Sequence, residues 1–155
     1  MDWGIEHEFI FNWKDGKPRI YDGGDVPFST TTVGSVGVAV VGVLSHPEET
    51  KNRNVYIQDV TITQNQLLAI AQKAAPEKKF EPVHLKATEV EKSSYDALAN
   101  GDYSPGVFVG FLLASIFGKG FGQPFEKNDN ELLGVPGKTE EDILAIFKKA
   151  FASEN

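Results

Sequence analysis

The sequence predicts an α/β domain with parallel strands. Short strand-like runs alternate with longer helical runs, the order that builds such sheets. Capping and stop signals bracket the helical runs. One strand-like run, Asn54 to Val60, is apolar on both faces, as a strand covered on two sides is. The whole chain, residues 1–155, reads as a single domain, since about 150 residues suffice to bury roughly 68–70% of the unfolded surface. Two or three short strands are too few for a complete doubly wound sheet, the first sign that part of the fold lies outside this sequence.

Each element has a local reason. Glu8 to Trp13 is aromatic and open between strand and helix. Lys14-Asp15-Gly16-Lys17-Pro18 reads as a turn, because Asp-Gly tolerates positive φ and Pro presets its own φ. Arg19 to Tyr21 is a short strand ended by Asp22-Gly23-Gly24-Asp25. Thr32 caps a helix from Val33 to Leu44, whose Val33, Val36, Val40, Val43 and Leu44 recur at helical spacing. Val and Gly are poor helix formers, so a strand reading stays open there. Gly34 and Gly37 are expected to bring this helix close to a sheet, and Pro47 follows its end. Thr63-Gln64-Asn65-Gln66 is a capping box, with Ile62 and Leu67 placed as a hydrophobic staple, and its helix runs to about Ala75. Phe80 to Leu85 is short and extended. Thr88-Glu89-Val90-Glu91 is read as a second capping box, opening a helix that stops at Gly101. Ser104-Pro105 opens the next helix, with Gly118 as its C′ residue. The last helix begins at Thr139, with acidic residues in its first turn, Lys148 and Lys149 in its last, and a buried stripe of Ile143, Ile146, Phe147, Ala150 and Phe151.

Composition removes several function classes. Hydrophobic residues make up 41% and charged residues 24%, a globular balance. The net charge of -7 repels phosphate backbones and anionic membranes, so no nucleic-acid contact and no membrane association are expected. The absence of cysteine excludes disulfides, thiolate zinc sites and cysteine nucleophiles. No secretory signal is visible, and Val107 to Phe117 is about half a membrane span, so a cytoplasmic location is the default expectation.

No complete catalytic constellation stands out. Gly118-Lys119-Gly120-Phe121-Gly122 follows a helix rather than a strand, so it reads as a helix end and loop, not a phosphate cradle. No tyrosine is followed four residues later by lysine, the proton-transfer pair of short-chain dehydrogenases. His7, His46 and His84 belong to no metal motif, and Asp22 with Asp25 is an incomplete cation loop. Asn128-Asp129-Asn130-Glu131 reads as a loop with local capping. The helix carrying Val107, Phe108, Phe111, Leu112, Ile116 and Phe117 reads as core, and its aromatic density also suits an apolar pocket.

The order of several short motifs carries a resemblance. Ile20-Tyr21-Asp22-Gly23-Gly24-Asp25-Val26-Pro27-Phe28-Ser29-Thr30-Thr31, then Leu44-Ser45-His46-Pro47-Glu48-Glu49-Thr50, Asn52-Arg53-Asn54-Val55 and Val60-Thr61-Ile62-Thr63-Gln64-Asn65-Gln66-Leu67-Leu68 resemble the middle of NmrA-like, isoflavone-reductase-like fungal proteins. Gly120-Phe121-Gly122 through Asn130-Glu131-Leu132-Leu133-Gly134-Val135-Pro136 resembles the family's carboxy-terminal segment.

The resemblance implies an atypical short-chain dehydrogenase with a partial Rossmann-like fold here: later strands and substrate-side helices, without the amino-terminal half that binds NADP or NAD. The family's Gly-rich fingerprint and catalytic lysine have no matching positions in this sequence. It therefore implies the substrate-side portion of an NAD(P)-dependent oxidoreductase, inactive as this chain alone and binding no cofactor tightly, with no catalytic or cofactor-binding residue assigned. The alternative is a dinucleotide-sensing regulator without turnover. Met1-Asp2-Trp3-Gly4 resembles the segment bordering the nicotinamide end of the pocket, which makes Asp2 and Trp3 pocket-lining candidates. Together with Phe108, Phe111 and Phe121 they are expected to surround one cavity for a small apolar or aromatic substrate. Removing the family's central strands is expected to leave an open sheet edge, so the chain is expected to melt broadly or self-associate.

Overall fold

The computed structural model describes residues 1–121 and 124–153. Gly122 of the Gly-rich run lies outside the described residues. In chain order the elements are α1 (Asp2–Glu6), β1 (Arg19–Tyr21), β2 (Phe28–Thr30), α2 (Val33–Ser45), α3 (Pro47–Thr50), β3 (Val60–Ile62), α4 (Gln64–Ala74), β4 (Val83–Leu85), α5 (Ala87–Ala99), α6 (Pro105–Phe117), α7 (Asn130–Leu133) and α8 (Glu140–Ala152).

The α/β class holds, with a small sheet content. β1 pairs with β4 in parallel, Tyr21 opposite Leu85, and β2 pairs with β3 antiparallel, Phe28 opposite Ile62. The all-parallel expectation fails at this second pair. Asp59 explains why: its N–H donates to the Thr30 carbonyl at 2.9 Å and its carboxylate holds the Thr32 N–H at 2.6 Å, so β3 starts beside the end of β2. The run from Asn54 to Gln58 is extended but forms no strand. Side chains take the place of a neighbouring strand. The Asp129 carboxylate accepts from the Tyr56 N–H at 2.9 Å, and the Asn130 amide both accepts from the Gln58 N–H and donates to its carbonyl. Asp129 and Asn130 thus bridge to another segment rather than capping their own helix, and Glu8 to Trp13 is neither strand nor helix.

The outer side of β1 is closed in the same way. The Gln64 amide accepts from the Tyr21 N–H at 2.8 Å and donates to the Arg19 carbonyl at 3.0 Å, while Asn12 accepts from the Arg19 N–H at 2.8 Å. Strand-edge groups left without water or partners are costly, and these amides satisfy them.

Helix boundaries follow their signals in most places. Thr63 and Gln66 form the reciprocal capping box, with Ile62 and Leu67 both buried, and Thr139 forms a second box with Asp142. α5 departs from expectation. It starts at Ala87, so Thr88 lies inside the helix and caps nothing; the Asp22 carboxylate accepts the Ala87 N–H instead, at 3.0 Å. Gly118 ends α6 with φ −77°, not in the left-handed region.

The main core joins α1, α4, α6 and α8 across both strand pairs. Phe147 meets Phe11 edge-on at 5.5 Å and Phe117 meets Phe28 edge-on at 5.0 Å, contacts that each add about 0.5–1.5 kcal/mol to the burial term. Trp13 is fully buried and donates its indole N–H to the Ile5 carbonyl at 2.8 Å.

α2 sits apart, against α7, in a small second cluster of Ala39, Leu133 and Val135. Its inward face is Ser35, Ala39 and Gly42, not the valines. Val33, Val36, Val40, Val41 and Leu44 are exposed, Leu44 at 76%. A Cβ added at Gly34 or Gly37 would meet nothing within 4 Å, whereas at Gly42 that carbon would lie 2.6 Å from the Leu133 carbonyl oxygen. The close approach expected at Gly34 and Gly37 therefore occurs one helix face away, against a helix and not a sheet.

Candidate functional site

At the N-terminus of α2, residues from three separate parts of the chain converge. The Asp2 carboxylate accepts the Val33 N–H at 3.0 Å, the Thr32 hydroxyl accepts the Ser35 N–H at 3.3 Å, and the Thr32 hydroxyl donates to Asp59 at 2.7 Å. Asp59 is buried, and its second oxygen, Oδ1, has no hydrogen-bond partner among the described residues. Beside this junction lies a cavity of about 370 Å³ lined by Asp2, Glu6, Thr32, Gly34, Lys138, Asp142, Ile146 and Lys149. It faces the first turn of α2 from α1 and α8. The Asp142 carboxyl is held below the usual carboxylate range by the N–H and hydroxyl of Thr139, which both donate to it. The walls thus mix carboxylates and ammonium groups and contain no paired acid and base on a shared proton path.

Of the five residues expected in one pocket, only Asp2 lines this cavity. Trp3, Phe108, Phe111 and Phe121 line neither this cavity nor the four others described. Trp3 is half exposed and stacks on His7 at 4.6 Å. Phe111 meets Tyr95 edge-on at 4.7 Å, and Phe108 is half exposed. Phe121 is also partly exposed, just beyond the end of α6. None of those cavities brings these aromatics together, and for Phe108 the reason is helical phase. α6 turns Val107, Leu113, Ala114 and Phe117 inward, which puts Phe108 and Leu112 on its outer side.

His7 and His46 have structural partners. The His7 ring nitrogen Nδ1 lies 3.0 Å from the Trp3 carbonyl, and that of His46 lies 3.0 Å from the Gly42 carbonyl at the end of α2. His84 sits opposite Ile20 in the parallel pair. No group of three or more metal-ligating side chains forms among the described residues, and no described helix is long and apolar enough to cross a membrane.

A dinucleotide requires free backbone N–H groups at a Gly-rich strand-to-helix turn. Each such junction here is already occupied. Carboxylates hold the first N–H of α2 (Asp2) and of α5 (Asp22), and the Thr63–Gln66 capping box closes the start of α4. None of the three joins through glycine, and carboxylates at two of them repel pyrophosphate. None of these three junctions forms the Gly-rich phosphate cradle of a dinucleotide site.

No family model matches the chain, and no solved structure matches it. Curated fungal proteins do. The chain is 29% identical over 137 residues to "Oxidoreductase poxI" of Penicillium oxalicum, covering 81% of this chain and 41% of that protein. It is 28% identical over 154 residues to "Oxidoreductase aprR" of Aspergillus flavus, covering 96% of this chain and 50% of that protein. The chain is thus distantly related to proteins named as oxidoreductases and spans half or less of their length.

Proposed function

We propose that this chain is the substrate-side portion of an NAD(P)-dependent oxidoreductase of the NmrA-like, isoflavone-reductase-like kind, with a partial Rossmann-like fold. In this reading NADP or NAD is held by polypeptide outside these 155 residues, and the substrate is a small apolar or aromatic molecule. The observation that carries it is the match to two proteins named oxidoreductases, which runs along 81% and 96% of this chain yet reaches only 41% and 50% of theirs. The occupied helix N-termini support placing the cofactor elsewhere. Asp2 is the one expected pocket residue that lines the 370 Å³ cavity at the α2 junction, and in this reading it faces the substrate from there.

The exposed face of α2 supports the same reading. Five aliphatic side chains there stand open. Covering their exposed halves is worth roughly 4–7 kcal/mol, at about 1.5–3 kcal/mol per fully buried aliphatic side chain. That is comparable with the whole stability of a small domain, about 5–15 kcal/mol. A face of this kind is expected to pack against further polypeptide of the complete protein, or against a second copy when the chain is alone.

Reading the gene upstream of Met1 tests the proposal. A strand, Gly-rich turn and helix followed by a lysine, with NADPH oxidation by the longer product, supports it. An intact Gly-rich turn without the lysine, and cofactor binding without turnover, favours a dinucleotide-sensing regulator. Titration calorimetry of the 155-residue chain is expected to show no tight NADPH or NADH binding; a micromolar Kd overturns the proposed division of labour.

A further inference from the structure

A cleft of about 520 Å³ lies between α5 and α6 over one face of the β1–β4 pair, on the opposite side of α6 from Phe108 and Leu112. Its volume falls in the range of small-molecule sites. Arg19 and Tyr21 alternate on the strand and so share the face that forms the floor, while Ile20 is buried on the other face. Val90, Val107 and Leu113 supply apolar walls.

The polar groups lining it are distinctive for what they lack. Tyr21 is 3% exposed and Ser94 6%, yet neither hydroxyl has a hydrogen-bond partner among the described residues. Both hydroxyls therefore reach the surface of the cleft, where a ligand's polar atoms can take the place of water. The charges at the mouth sort themselves. Lys86 pairs with Glu89 at 3.4 Å, and the Asp102 carboxylate accepts the Ser104 N–H at 2.8 Å. The Arg19 guanidinium has no ion pair among the described residues, in a chain of net charge -7. It lies close enough to the Tyr21 phenol to pull its pKa down against the rise that burial causes. An unneutralised guanidinium at the end of an apolar cleft matches a planar carboxylate, to which its fork of donors bonds in pairs.

We infer that this cleft binds a small carboxylate with an apolar, ring-sized body, its anionic end on Arg19 and its remaining polar atoms on the Tyr21 and Ser94 hydroxyls. The inference is independent of the oxidoreductase reading, because no cofactor enters the site or the assay.

The test is a titration of the full isotope-labelled chain, followed by NMR, with naphthoate and separately with the neutral naphthylmethanol. Naphthoate is expected to shift amides of β1, α5 and α6 saturably and to bind more tightly than the alcohol. Arg19→Ala, an exposed position, is expected to weaken naphthoate roughly tenfold, as loss of a charge-assisted hydrogen bond does, and to leave the alcohol unchanged. Tyr21→Phe, which keeps the core volume, is a second variant with the same direction and a smaller effect. Absence of saturation, equal affinity for acid and alcohol, shifts centred on the exposed face of α2, or an Arg19→Ala variant that binds naphthoate as before would each overturn it.

Discussion

Two glycines of one helix are expected to respond to alanine with opposite signs. Replacing Gly37 removes the entropic cost of glycine in a helix interior, about 0.5–1 kcal/mol, and the added methyl meets nothing within 4 Å. The variant gains that amount. Replacing Gly42 brings the same gain, but its new carbon falls 2.6 Å from the Leu133 carbonyl oxygen and 2.7 Å from the Leu133 Cα. Both are backbone atoms that no rotamer change can move aside, so α2 and α7 must separate. Overpacking of this kind costs about 1–3 kcal/mol, leaving a net loss of roughly 0.5–2 kcal/mol. Urea titrations followed by circular dichroism read the difference directly, as a higher midpoint for Gly37→Ala and a lower one for Gly42→Ala. If both midpoints rise, α2 does not lie against α7 through its small-residue face. If Gly37→Ala lowers the midpoint, the valine side of the helix is packed and not open.

Acid sensitivity follows from carboxylates held in their charged form. The Asp129 carboxyl lies below its ordinary range because Arg53 and then the Tyr56 N–H donate to it, and the Asp22 carboxyl because the Lys119 and Ala87 N–H groups do. A pKa lower in the folded chain than in the unfolded one gives stability that is present above about pH 4 and is lost as pH falls below it. Asp129→Asn is expected to lower stability at neutral pH and flatten the fall between about pH 5 and pH 3, measured by urea midpoints; an unchanged pH profile contradicts the assignment. Val40→Lys with Leu44→Lys is expected to shift the purified chain toward monomer in sedimentation velocity, since both side chains stand open on α2. A wild-type chain that is already monomeric at high concentration refutes that.

How far the sequence could be read depended on the range of the force involved. Local signals were legible: Thr32, Thr63, Thr139 and Pro105 all stand where their helices begin. Interactions across tens of residues were not. Nothing in the local pattern of Gln64 shows that its amide will complete the edge of β1, or that Asp22 will cap α5 across 65 positions. A polar residue in the first turn of an apolar helix was the available signal for Gln64. α2 misled because it has two self-consistent faces. Valine periodicity marks the more hydrophobic one, but the neighbour it meets, α7, admits only the smaller Ser35–Ala39–Gly42 face. The same phase ambiguity placed Phe108 and Phe111 in an expected pocket, and the cleft that does form uses Val107, Gly110 and Leu113 of the same helix.

The two kinds of boundary in this chain separate what it completes by itself from what it leaves open. Where backbone groups face outward they are closed: Asn12 and Gln64 finish β1, and Asp129 with Asn130 finishes the extended run before β3. A strand added beside β1 would have to displace buried hydrogen bonds to Gln64, each costly to leave unmade. Where apolar groups face outward, on α2, nothing closes them. Covering that face requires no broken bond and releases water from aliphatic surface. Additional polypeptide, whether the rest of a longer protein or a second copy, therefore gains most by lying across α2 as a packed layer, with the Asp2–Thr32–Asp59 junction and its 370 Å³ cavity at the end of that same helix. In the proposed oxidoreductase the contact between the two portions would run along α2, with the cavity at the amino-terminal end of that helix.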